Sequence, residues 1–323
     1  MAGCRVQFGA IVAASTLLVA CDWVVDGNGG DARTSETEPD LVLDPGDYAD
    51  TPVSIRPSSD VEAMFGLYAD LQDGLLLSWD IRARLDDQAG GESGTTACDG
   101  GGTATVHYSD TGEHYQEEWT LNDCVVTTDS EGDIRLSGTF SYDEQIVVDT
   151  AERYEEQAAE HYDIEGEIVA SSDPVAMRGT IGSVSVNTYD SLGSLSGETD
   201  TFEIDGLEFQ IGSQYIAITL GDESLREADG ETEIDFNGKL IGSAIEGYIE
   251  VTTDKTIRWP DTEDCPIEGV VRIESDGDAE LRLGDDTGST RVAEIWVDGQ
   301  AIETYSSCDE LAFFFGGGSG GAL

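Results

Sequence analysis

The chain has 323 residues, 68 of them acidic against 15 basic, for a formal net charge of −53. A field of that sign excludes nucleic acid as a partner and is repelled by anionic lipid surfaces, so any hold on a membrane has to come from something other than a basic patch. Solubility is the simplest use of such charge, most tolerable where salt screens self-repulsion; weak binding of divalent cations such as calcium is the sharper alternative.

Arg5 supplies a positive charge ahead of an apolar run from Phe8 to Ala20, which closes on Leu18-Val19-Ala20-Cys21. So short a run cannot cross a hydrocarbon core of roughly 30 Å as a helix, and it reads as an export signal. Leu18-Val19-Ala20-Cys21 resembles the lipobox of bacterial lipoprotein precursors. The resemblance implies cleavage before Cys21, acylation of that cysteine, and anchoring in a membrane of the cell envelope, the outer membrane ahead of the inner. An ordinary signal peptide cut near Ala20 is the plainer alternative. Loss of Arg5 with the signal leaves 68 acids against 14 bases.

Four segments follow from composition. Residues 1–20 are the signal peptide, 21–57 an acidic flexible tether rich in Gly, Pro, Asp and Glu, 58–315 a β-rich domain opened by a helix, and 316–323 a Gly-rich disordered tail. A flexible tether of that length reaches about 30 to 35 Å. The match of Gly317-Gly318-Ser319-Gly320-Gly321 to a nucleophile elbow is a low-complexity coincidence.

Ser58-Ser59-Asp60 offers capping side chains, after which Val61, Met64, Phe65, Tyr68, Leu71, Leu75 and Trp79 recur at three- and four-residue steps. This spacing predicts a helix with one apolar face laid on a sheet, weakened by Gly66 and Gly74. Beyond Gln88 short alternating runs separated by Gly, Asp and Ser predict strands, for example 103–108, 202–211, 215–220, 245–252 and 292–297. A triplet of apolar residue, any residue and glycine returns from Leu136–Gly138 to Ile267–Gly269. Glycine at such places marks bends or close backbone approach, so the expected fold is mainly β, a long curved antiparallel meander with one N-terminal helix packed on it.

In an oxidising envelope the four remaining cysteines, Cys98, Cys124, Cys265 and Cys308, are expected to form disulfides. Hairpins centred near Thr111 and near Asp286-Thr287 would set Cys98 opposite Cys124 and Cys265 opposite Cys308. The same two centres carry Asp110-Thr111-Gly112 and Asp286-Thr287-Gly288, which resemble the Asp-Thr-Gly loops of pepsin-like aspartic proteases. That resemblance implies a hydrolase in which Asp110 and Asp286 share a proton. Their polar, acidic flanks and hairpin-tip setting speak against it.

Other chemistry is thin. His107, His114 and His161 are not spaced as partners, and no zinc or nucleotide motif is present, so no cofactor and no metal site is expected. Asp276, Asp278, Glu280, Asp285 and Asp286 offer oxygen ligands for calcium but lack the EF-hand register. Trp259-Pro260 beside acidic residues is a candidate groove wall. The lipobox, acidic spacer, helix, Cys98-Asp99-Gly100-Gly101-Gly102 strand opening and Asn122-Asp123-Cys124 closing together resemble poorly characterised β-rich lipoproteins of Gram-negative envelopes. The expectation is a lipid-anchored, non-enzymatic envelope protein with a structural or binding role, its protein partner unspecified.

Overall fold

The computed structural model describes residues 48–289 and 291–315. Cys21, the signal peptide, most of the expected tether and the glycine tail lie outside the described residues. Within them one helix, α1 (Val61–Ala89), precedes fourteen strands: β1 (Gly94–Ala97), β2 (Thr103–Asp110), β3 (His114–Thr128), β4 (Gly132–Asp149), β5 (Arg153–Ile168), β6 (Pro174–Tyr189) and β7 (Leu195–Ile211). The second half continues with β8 (Gln214–Ala228), β9 (Glu231–Gly242), β10 (Gly247–Pro260), β11 (Glu268–Ser275), β12 (Gly277–Gly284), β13 (Ala293–Val297) and β14 (Gln300–Tyr305), and a short helix α2 (Ala312–Phe315) closes it. All fourteen strands form one antiparallel sheet in chain order, so the curved meander and its packed helix are what the sequence pattern expects.

Asp60 caps α1 by accepting from Ala63 N–H, and Gly90 ends the helix in a left-handed conformation. Buried residues from Val61 to Leu85 surround most of the helix circumference, because the sheet curls about it and offers apolar side chains along one face, here called inner. Successive helix positions meet successive strands. Glu62 bonds Tyr305 of β14, Gly74 lies under Phe209 of β7, Ser78 meets Tyr162 of β5, and Asp86 bonds Tyr108 of β2. Glu62 and Asp86 are roughly 36 Å apart along the helix axis, which makes α1 a rod laid across the strands from the last to the first.

Glycines explain the curvature. A Cβ on Gly166 of β5 would stand 1.8 Å from the Arg135 carbonyl oxygen of β4, so the two backbones approach more closely than any side chain permits. Gly179, at φ 118°, is skipped in the pairing of β6 with β7 and faces the backbone of Gly206. Such irregularities bend the strands around the helix. The helix glycines act similarly: a Cβ on Gly74 would lie 2.7 Å from the Phe209 ring, so the residue that weakens helix propensity makes room for sheet packing.

The tether expected to run to residue 57 ends sooner. From Tyr48 the chain is docked: Tyr48 and Ala49 pack with Ala176, Tyr215, Ala217 and Ile241, while Lys239 Nζ donates to the Ala49 carbonyl at 2.8 Å. Pro52 and Ser54 bridge to Tyr248 and Asp276, and Ile55 is fully buried at the foot of α1.

Candidate acid-lined inner face

In a strand, residues two apart project side by side from one face. Repeatedly, one of two such inner-face neighbours is aromatic and the other acidic. Trp119 Nε1 donates to Glu117 at 2.8 Å, Tyr142 Oη to Glu144 at 2.8 Å, Tyr154 Oη to Glu156 at 2.8 Å, and Tyr162 Oη to Glu160. These pairs lie on β3, β4 and β5, continuing the face on which Trp119, Phe140 and Tyr162 stack as core rings.

Arg82 of α1 enters this row. Its guanidinium bonds Glu117, stands 3.8 Å from Glu160, and lies 3.6 Å from the centre of the Tyr142 ring. Burial works against its charge, but the fields of Glu117 and Glu160 outweigh burial and hold the guanidinium above its ordinary pKa. Trp119 and Arg82 thus share the carboxylate of Glu117, which is only 2 % exposed.

Further along the sheet no such cation is provided among the described residues. Asp200 of β7 is 3 % exposed, and its Oδ2 has no hydrogen-bond partner among the described residues. Burial pushes its pKa up to about 7; a hydrogen bond with Ser185 opposes the shift, while Glu198, Glu227 and Glu156 add to it. Glu198 and Glu227 are raised as well, first by burial and then by neighbouring acids. Glu223 of β8 is buried against Tyr68 of α1 and is likewise pushed up to about 7, by burial first, with the Tyr68 hydrogen bond acting in the opposite sense. Of these groups Asp200 and Glu223, each pushed up to about 7, can take up or release a proton near neutrality. Among the described residues no group of three or more His, Cys, Asp or Glu is placed to hold a metal ion.

The four cysteines predicted to pair do so, Cys98 with Cys124 at a Cα separation of 5.4 Å and Cys265 with Cys308 at 5.7 Å. The hairpin expected near Thr111 is present, β2 and β3 turning between Asp110 and His114, but Cys98 lies outside its paired strands and no single hairpin joins Cys265 to Cys308. Cys98 follows β1 in a tight loop, where Gly101 N–H donates to its carbonyl, and meets Cys124 at an irregularity in the pairing of β3 with β4. Four strands, β11 to β14, separate Cys265 from Cys308, so that bridge ties the start of this unit to the short 3-10 turn Cys308–Leu311.

The two Asp-Thr-Gly copies are not brought together. Asp110 caps its own turn, Oδ1 accepting from Gly112 N–H at 2.6 Å. Asp286 sits in the 3-10 turn Asp285–Thr287, ten strands along in sheet order, where both its oxygens meet Lys255 Nζ at 3.0 and 2.8 Å and Gly269 N–H donates to it. Four of the five acids proposed for calcium meet cations of the chain instead, Asp276 with Arg56, Asp278 3.7 Å from Arg272, Glu280 with Arg282 and Asp286 with Lys255, while Asp285 lies in the 3-10 turn beside Asp286. His114 is held by Asp143 and His161 by Thr180, with His107 exposed on β2. Trp259 packs edge-on to Phe315, and its Nε1 donates to the Glu263 carbonyl at 3.0 Å.

No motif in the sequence singles out Arg82, Glu117, Glu160, Asp200 or Glu223. The signal that could have found the first group is the acid two places from an aromatic within a strand: Glu117-Glu118-Trp119, Tyr142-Asp143-Glu144, Tyr154-Glu155-Glu156 and Glu160-His161-Tyr162. For Asp200 and Glu223 it is an acid at an inward position of the strand alternation. Comparison with protein-family models, with curated proteins and with solved structures finds no match to this chain.

Proposed function

We propose that this chain is an exported lipoprotein, held to an envelope membrane by acyl chains on Cys21, whose β domain has a non-enzymatic structural or binding role. The observation that carries the reading is the pair of disulfides, Cys98–Cys124 and Cys265–Cys308, because such bridges persist in oxidising compartments and not in a reducing cytosol. It agrees with the export signal ending at Cys21. No helix among the described residues is long and apolar enough to cross a membrane; the acyl chains on Cys21 are the anchor in this reading. The sheet supplies rigidity, and of the candidate catalytic acids Asp110 is engaged within its own turn while Asp286 is held by Lys255 of β10 and Gly269 of β11.

The test is intact-mass spectrometry and membrane fractionation of the full chain expressed in a Gram-negative host. Expected are a mature N-terminus at Cys21 carrying diacylglyceryl and acyl mass, recovery with membranes, and release of Cys21→Ser into the soluble exported fraction. A cytosolic chain that keeps its initiator methionine, with unmodified Cys21 and reduced Cys98 and Cys124, overturns the proposal. Proteolysis of casein at acid pH that Asp286→Asn abolishes would overturn its non-enzymatic part.

A further inference from the structure

A carboxyl in the interior is tolerated when a cation or several hydrogen bonds meet it. Glu223 has one partner of that kind. It lies on the inner face of β8, 7 % exposed, and Oε1 accepts a 2.8 Å hydrogen bond from the Tyr68 hydroxyl of α1. Across the ladder its neighbours are Phe202 of β7 and Phe236 of β9. The Tyr68 ring packs on Phe236 at 4.7 Å and on Phe314 of α2 at 5.4 Å. The titratable groups facing Glu223 are therefore Tyr68 from α1 and, diagonally past Phe202, Asp200 from β7; β9 and α2 present phenylalanines. No salt bridge reaches Glu223 among the described residues.

We propose that Tyr68 and Glu223 form a proton-dependent latch: with Glu223 neutral, the pair holds α1 against β8, and ionisation of Glu223 to a carboxylate, its proton passing to water, loosens that contact. The proposal is independent of Cys21 and of where the protein resides. Its physical basis is the enclosure. A neutral carboxyl accepts the phenol hydrogen bond at little cost, whereas a carboxylate between aromatic rings gives up its hydration for a single donor. The latch lies partway along a rod whose ends are fixed separately, Glu62 to Tyr305 and Asp86 to Tyr108, so local opening need not unfold the sheet.

The sign follows from the proton affinities. Burial keeps Glu223 protonated up to about 7, against an ordinary value of 4.5 for a free glutamate. The folded state therefore binds the proton more tightly than the opened one. The stabilisation is complete below about pH 4.5, is lost as pH rises to about 7, and changes no further above it.

Hydrogen exchange of α1 amides in the full chain, corrected for intrinsic rates, reads the latch. In the native protein the opened population of α1 is expected to rise roughly tenfold per unit between about pH 5 and pH 7, about 100-fold in all, and then level off. Glu223→Gln, neutral at every pH, should abolish the rise and leave α1 better protected than the native protein at neutral pH. Tyr68→Phe should keep the rise and move its midpoint upward, since the donor favouring the carboxylate is gone. Asp200→Asn should leave the α1 response in place, which separates the two carboxyls. Protection in the native protein that ignores pH overturns the latch, as does a rise that survives in Glu223→Gln. If neither Glu223→Gln nor Tyr68→Phe folds, infrared titration of the Asp200→Asn variant decides: a protonated-carboxyl band lost across about pH 7 supports the latch, and its absence overturns it.

Discussion

On the outer face of the sheet Arg135 meets Glu167, Arg226 meets Glu233 and Arg282 meets Glu280, all with part of each side chain in water. On the inner face Glu223 and Asp200 are almost wholly covered with no cation on either among the described residues, and Glu117 is covered but meets Arg82. The residue type is the same; the solvent is not. Outside, water and salt screen both the attraction and the repulsion, so a large acid excess costs little and each pair contributes little. Inside, the carboxylate has to be neutralised by a proton or by a buried guanidinium, and the protein uses each solution in a different part of one face.

If that division holds, the largest effect belongs to Arg82. Arg82→Met keeps the aliphatic stem but leaves Glu117 and Glu160 without their cation, and it should cost about 3–5 kcal/mol in urea unfolding. Adding Glu117→Gln should recover much of the loss, because the charge left uncompensated goes with it. A single-variant loss below about 1 kcal/mol would place Arg82 with the outer pairs and erase the contrast.

Asp200 tests the other solution with the opposite sign. Asp200→Asn removes a group whose pKa is pushed up to about 7, against an ordinary 3.8, so the native protein should lose more stability as pH rises between those values than the variant, which keeps only the loss due to Glu223 and its other acids. At about pH 8 the variant should be the more stable by on the order of 1–2 kcal/mol, after allowance for partial solvation. Below about pH 4 the difference should vanish. Equal stability of the two proteins across the whole range would mean that Asp200 is solvated like an outer acid.

Which of these features were legible in the sequence depends on how local their cause is. The strands could be read because each is half-buried and alternates, and α1 because Val61, Phe65, Tyr68 and Leu75 share a stripe. The cysteine partners were legible, but not their geometry: a midpoint between Cys265 and Cys308 presumes one hairpin, while four strands intervene. Residues 48–56 have the composition of a spacer, and what docks them comes from afar, from Lys239 to Ala49 and from Ser275 to Val53. Gly74 was legible only as a helix penalty, since Phe209 stands 135 positions further along the chain. The inner carboxyls were the hardest to see. Parity places Glu223 on the inner face, but only the tertiary fold brings Tyr68 across 155 residues to cover it.

The smallest effect should come from the outer face. Arg226 and Glu233 stand opposite each other on β8 and β9, 2.8 Å apart, with the arginine side chain 57 % exposed and the glutamate 34 %. Arg226→Ala should change unfolding stability by less than about 1 kcal/mol at low salt and by less still at about 1 M salt, where the Debye length is near 3 Å. The more telling readout is the coupling between them. In a double-mutant cycle with Glu233→Gln the interaction should amount to about 0.2–1 kcal/mol and shrink as salt rises, whereas the coupling of Arg82 with Glu117 should persist, because bulk ions do not enter the covered inner face. A salt-resistant coupling at Arg226 would show that curvature shields the outer face too, and the contrast between the faces would then have to rest on packing rather than on solvent.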